Sequence, residues 1–239
     1  MRFLHAPKTF VAIFGTFLIW APNGETIAKE CTSRKRPNCK DGHNNLIEGR
    51  TDRSKGHPVT IKFLRGTVYR SDSTPSCYRN KPTVLLPGVG RLVEGEMTVP
   101  PNNYDLVKSG TVKMTIKSPS FDDPLCVEGV SQYIALPNSM CNFNLCDFIG
   151  KNLCEFLQRP GTHTIREMEQ KIDFNSTLIL PDAPRILGIS LLDIFAGEFH
   201  FIFSVETEGK MITNLEMPIN VPFVPLGLQE EEEAEDDHC

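Results

Sequence analysis

"GEFHFIFSVETEGKMITNLEMPINV", Gly197 to Val221, decides the fold. In its first half Phe199, Phe201, Phe203 and Val205 alternate with Glu198, His200 and Ser204, the period of a strand with one buried face. Glu208-Gly209 separates this run from "KMITNLEMPINV", which is the spacing of a tight hairpin. A hairpin with one apolar face must bury it against other strands, so the same pattern is expected elsewhere in the chain.

It recurs upstream, punctuated by Pro, Gly and Asn. "VTIKFLRGTVY", "RLVEGEMTV" after Pro87-Gly88, "GTVKMTIKS", "VSQYIAL" and "KIDFNSTLIL" read as strands. In the third, Val112, Met114 and Ile116 share a face; in the last, Ile172, Phe174, Leu178 and Leu180 do. One segment differs. In "CDFIGKNLCEFLQ" the residues Ile149, Leu153, Phe156 and Leu157 recur at helical spacing, with Asp147 in the first turn and Pro160-Gly161 at the end. Gly150 inside that stretch costs about 1 kcal/mol relative to Ala, so cysteine tethering is expected to hold the helix. The expected class is all-β: an antiparallel cup or sandwich over residues 58–222, with one short helix and disulfide staples.

The segment before the decisive strand is apolar without alternating. Ile186, Leu187, Ile189, Leu191, Leu192, Ile194 and Phe195 crowd between prolines and Gly197. Buried there, Asp193 and Arg185 would sit beside apolar groups at considerable cost. An exposed apolar loop resolves that conflict, either as a membrane contact or as a docking patch for a protein partner.

The ends differ from the body. Arg2 and Lys8 precede "FVAIFGTFLIWA", too short to span a bilayer, and small residues follow at Ala21, Gly24 and Ala28. Residues 1–28 are read as a signal peptide cleaved between 21 and 28, which predicts a secreted or lumenal protein. Residues 29–57 read as a polar, basic extension that includes "SRKRPNCKDG", and 229–239 as a disordered acidic tail, "EEEEAEDDHC". The middle is nearly balanced in charge and shows no continuous basic field, which argues against nucleic acid.

All eight cysteines follow the signal stretch: Cys31, Cys39, Cys77, Cys126, Cys141, Cys146, Cys154 and Cys239. An even count in an oxidising compartment predicts disulfides, although eight cysteines allow on the order of a hundred connectivities. Cys141 and Cys146, next to the expected helix, are the expected local pair. A zinc site is disfavoured because Cys141, Cys146 and Cys154 with His163 lack paired C-x₂-C spacing. Asn175-Ser176-Thr177 is an N-glycosylation sequon.

Catalytic motifs are missing: no G-x-S-x-G elbow, no H-E-x-x-H and no phosphate-binding glycine loop. His163 is placed in a loop and His200 on the polar side of a strand. The expectation is a protein without enzymatic activity, metal or cofactor.

The order of features resembles the lysosomal ganglioside activator protein family, within or beside the ML-type lipid-recognition domains. "NCKDG" near the start, "PNSMCNFNLCDFIGKNLCEFL" in the middle and "SVETEGKMITNLEMPI" at the close carry the likeness, over roughly residues 38 to 222. Cys39 with Asp41 and Gly42 matches the family's opening cysteine; Cys141, Cys146 and Cys154 match its central cluster, and Gly209-Lys210 its last hairpin. "MITNLEMPI" has no cysteine, which leaves Cys31, Cys77, Cys126 and Cys239 as partners for Cys39. The resemblance implies a β-cup whose apolar cavity takes a lipid or glycolipid from a membrane and presents it to a soluble hydrolase such as a glycosidase. The cavity would be lined by Met114, Phe199, Phe201, Phe203, Met211 and Met217, and Met suits surfaces that meet flexible apolar ligands. Ile186, Leu187, Leu191, Leu192, Ile194 and Phe195 would touch the membrane, and the location would be secreted or lysosomal.

Overall fold

The computed structural model describes residues 39–101, 104–183, 185–186 and 188–229. The expected signal stretch, Cys31, Cys239 and nearly all of the acidic tail lie outside them. The main strands are β1 (Leu46–Gly49), β2 (Thr60–Tyr69), β3 (Gly88–Val99), β4 (Thr111–Lys117), β5 (Asn142–Asn144), β6 (Gly161–Thr164), β7 (Thr177–Leu180), β8 (Gly197–Thr207), β9 (Lys210–Met217) and β10 (Val224–Leu226). The helices are short: α1 (Leu106–Ser109), α2 (Leu145–Ile149), α3 (Lys151–Leu157), α4 (Ile165–Ile172) and α5 (Leu191–Phe195). The chain is therefore an all-β, disulfide-stapled fold, with strand content well above helix content.

Two antiparallel sheets make up the body. In the first, β1, β2 and β3 run side by side, and the long β3 takes β6 along one half of its free edge and β7 along the other. In the second, β9, β8 and β4 form the centre, β5 and the Cys126–Val127 strand flank β4, and β10 pairs with the start of β8. The decisive hairpin forms as its sequence requires. Glu208 and Gly209 both have positive φ, 51° and 72°, the conformation that matches the twist of two tightly joined strands.

The sheets join along one side. Arg50 and Glu216 exchange backbone hydrogen bonds of 3.1 and 2.9 Å, and Val59 N–H donates to Ile212 O at 3.0 Å. Gly49 makes this approach possible: a Cβ there would lie 3.1 Å from both Leu215 Cδ1 and Glu216 O. Residues 46–49 thus add an edge strand to the sheet, and the structured body starts well before the expected residue 58.

Other differences have local causes. The helix expected around 147–157 is broken at Gly150, whose φ of 86° ends α2 and starts α3. Asn144 caps α2, accepting from Cys146 N and Asp147 N, and Asp147 stands in its first turn as expected. A further helix, α4, precedes the expected strand "KIDFNSTLIL" and takes its first two residues, Lys171 and Ile172. Ile165, Met168 and Ile172 recur at i, i+3 and i+7, Thr164 caps the start, and Asp173 at φ 52° ends the helix, so the strand begins only at Thr177. "VSQYIAL" keeps strand geometry only at Val130–Ser131. His163 lies in β6 rather than a loop, buried edge-to-face on Phe156 with a ring separation of 4.8 Å.

Three disulfides staple the described residues: Cys39–Cys77, Cys126–Cys141 and Cys146–Cys154. The expected Cys141–Cys146 pair does not form. β5 runs extended between them, and three residues at about 3.3 Å each carry the chain roughly 10 Å, beyond disulfide reach. Cys141 instead meets Cys126 beside β4, and the turn at Gly150 folds α3 back so that Cys154 reaches Cys146.

Candidate functional site

The inner face of the second sheet carries the expected phenylalanine row. Phe199, Phe201, Phe203 and Val205 share one side of β8, with ring separations of 6.1 Å for Phe199–Phe201 and 5.9 Å for Phe201–Phe203. Cross-strand partners share a face. Phe203 stands opposite Met114 on β4 and Leu215 on β9, and Phe201 opposite Ile116 and Met217. In the first sheet Leu64 pairs with Gly49 and Gly95, and its side chain lies over Gly95 beside Ile165 of α4.

Burial sorts these residues into two kinds. Among the described residues, three separate apolar clusters have buried centres. One gathers Val59, Val99, Leu106, Cys146, Cys154 and Ile212, with Val205 against it; the second gathers Leu125, Cys126, Leu136, Cys141 and Phe199. The third joins Phe156, Ile165 and Met168 of α3, β6's neighbour α4 and Leu92 of β3. Between them, Met114, Phe203, Leu215 and Met217 are only half-buried and belong to none of the three. A small domain ordinarily closes one contiguous core. Here the middle of the inner face stays partly open while both ends of β8 are sealed.

The expected cavity residues therefore divide. Met114, Phe201, Phe203 and Met217 lie together on the half-buried face. Phe199 is 1% exposed and forms part of the seal. Met211 is elsewhere: a register shift after Val205 sets it opposite Glu206, on the polar face that carries the 2.6 Å Lys113–Glu206 ion pair. Leu215 and Ile116 join the face without having been singled out, although the period-two pattern of β9 and β4 contained them. Among the described residues the two clefts that stand out, one around Tyr69 and one around Lys151, involve none of these side chains.

The apolar segment is folded rather than a loose loop. Arg185–Ile186 and Ile189–Ser190 pair as a minimal hairpin, and α5 follows. Asp193 has a structural role there: Ser190 and Asp193 form a reciprocal capping box, with Leu192 N donating to Ser190 Oγ and Ser190 N to Asp193 Oδ2, both at 3.3 Å. "SLLD" was the signal for it. Phe195 is turned inward instead of outward, 5.9 Å from Phe121 and packed against the Phe199 cluster. Leu192 lies against Gly227, where a Cβ would come within 3.0 Å of it. Leu187 lies outside the described residues, and for Ile186, Leu191 and Ile194 the backbone alone is placed, in the hairpin and α5. Elsewhere, Phe148 is 73% exposed beside Phe143, which shares a face with Val112.

Asn175 is exposed, and its Oδ1 accepts from Thr177 N at 2.9 Å. No helix among the described residues is long and apolar enough to cross a membrane. No family model matches the chain, and no curated protein matches it.

Proposed function

We propose that the chain is a non-enzymatic lipid-binding and transfer protein, acting in a secreted or lysosomal setting. The observation that carries this reading is the half-buried apolar band of Met114, Phe203, Leu215 and Met217, which joins none of the buried clusters, with Phe201 beside it packed against the Phe199 cluster. Acyl chains lie against this band. Fully burying one Phe or Leu side chain is worth about 1.5–3 kcal/mol, so covering several of them gives reversible, micromolar-class binding after the cost of ordering the ligand. The likeness to ganglioside activators supports a glycolipid as ligand, with presentation to a glycosidase as the outcome. Three disulfides fit an oxidising compartment.

The hairpin and α5 at 185–195 supply the membrane contact. Leu192 and Phe195 act as the anchors that hold the segment on the body.

The test is native mass spectrometry with lipid extraction of the full chain made in a secretory eukaryotic host. A stoichiometric co-purifying lipid, lost in Phe203→Asp, supports the reading. Lipid-free protein that also fails to take a short-chain fluorescent lipid from vesicles overturns it.

A further inference from the structure

The outer face of the first sheet carries features that lipid binding leaves unused. The register lays Leu46, Thr67, Arg91 and Thr177 in one row across β1, β2, β3 and β7, with Tyr69, Val89 and Ile179 in the row beside it. A cleft of about 590 Å³ opens on this face, lined by Asp41, Leu46, Arg65, Thr67, Tyr69 and Glu94 among others. It is shallow and open to solvent.

Its charges are already paired. Arg65 bridges Glu48 and Glu94 at 2.8 and 3.0 Å, and Asp41 Oδ1 accepts from Tyr69 Oη and Asn45 Nδ2 at 3.0 Å each. An anionic ligand would meet Asp41, Glu48 and Glu94; a cation would meet Arg65 and Arg91. A neutral, hydroxyl-rich ligand suits both, because paired carboxylates and guanidiniums keep spare acceptor and donor positions. Thr67 gives independent support. It is 3% exposed, lines the cleft, and its Oγ1 has no hydrogen-bond partner, a state that folded proteins seldom leave uncompensated. A sugar hydroxyl entering the cleft supplies that partner once Thr67 turns about χ1. The same face exposes apolar Val93 (49%) and Ile179 (83%), against which the C–H faces of a sugar ring can rest.

The sequon stands at the end of the first row. Asn175 is exposed and held by its carbonyl oxygen, while its Nδ2 takes no hydrogen bond among the described residues. Thr67 lies two strands from Thr177, about 10 Å at ordinary strand spacing, a span of a few sugar units. We propose that this face is the seat of the chain's own N-linked glycan, carried on Asn175 and laid along Thr177, Arg91 and Thr67 into the cleft. The linkage forms when Asn175 Nδ2 attacks the anomeric carbon of a lipid-diphosphate-linked oligosaccharide, the C1–O bond breaks to release the lipid diphosphate, and one amide proton passes to a base of the host transferase. Seated there, the glycan covers Ile179 on the free edge strand β7 and so blocks edge-to-edge pairing. The assignment is independent of lipid binding.

The test uses the full chain from a secretory eukaryotic host. Peptide mass spectrometry reads occupancy at Asn175, and endoglycosidase release is timed on the native protein. Asn175 should be occupied, and release should be roughly tenfold slower than from the unfolded protein. Thr67→Val and Glu94→Gln should each restore most of that rate without moving the thermal midpoint. An unoccupied Asn175, or equal rates in parent and variants, overturns the proposal. Titration with free core oligosaccharide settles the source. Binding confined to Asn175→Gln protein supports a seat normally filled by the chain's own glycan; equal binding by both forms makes it a site for foreign carbohydrate and overturns the assignment.

Discussion

Phe203 on β8 stands directly opposite Met114 on β4, yet neither belongs to a buried cluster, while Phe199, four residues earlier on the same face, is 1% exposed. One strand therefore carries a structural phenylalanine and one left open to a ligand. Phe199→Ala should cost about 3–5 kcal/mol by the cavity it leaves. Phe203→Ala should cost less than half of that and still lower the lipid load. Denaturant unfolding paired with lipid quantification on both variants checks the split; equal stability losses would make Phe203 ordinary core.

The disulfide map gives a graded prediction. Bridges closing 38, 15 and 8 residues should contribute about 4, 3 and 2.5 kcal/mol on chain entropy alone. Paired Cys→Ser replacement of Cys39–Cys77 should therefore lower stability most, and of Cys146–Cys154 least. Non-reducing peptide mapping checks the connectivity, and the denaturant midpoints check the order.

Gly49 sets how closely the two sheets join. In Gly49→Ala the new methyl would sit 3.1 Å from a backbone oxygen, Glu216 O, which cannot swing aside as a side chain can. A loss of about 1–3 kcal/mol is expected from overpacking. Gly42→Ala, with nothing within 4 Å but φ of 70°, provides the comparison in which backbone strain alone acts. Thermal unfolding of both separates the two costs.

Acid tolerance follows from the carboxylates. The Asn45 side chain, with Tyr69 and the Gly42 amide, holds the Asp41 carboxyl below its usual value of 3.8, and the Lys108 backbone N–H does the same for Asp105. A group whose folded value is depressed stabilises fully above its unfolded value and loses that contribution as pH falls through the folded one. These groups should thus leave the thermal midpoint flat from about pH 7 to pH 5, with decline beginning only below about pH 4. The effect is modest because both groups are solvent-screened. Tyr69→Phe should raise the Asp41 titration midpoint, which carboxyl-detected NMR reads directly.

By itself the sequence determined what is local and periodic. The Phe199–Val205 alternation, the Glu208-Gly209 turn and the strands at β2, β3 and β4 follow from side-chain period and turn chemistry, and these appear where the pattern puts them. So does the apolar face built from Phe201, Phe203, Met114 and Met217. What the pattern could not supply was distance across the chain. Cys141 and Cys146 are neighbours in sequence and separated in space, because the strand between them is extended and only the sheet brings Cys126 to Cys141. Met211 left the face through a one-residue register shift, which period-two reasoning cannot see. Phe195 looked exposed because "LLDIF" has no polar alternation, but whether an apolar side chain faces solvent depends on what packs against it. Phe121 and the Phe199 cluster, remote in sequence or fixed by the sheet, made that decision. Whether the phenylalanine row closes into a core or stays half-open was likewise a tertiary outcome, set by where the two sheets join at Gly49 and by which ends of β8 the disulfide-held loops cover.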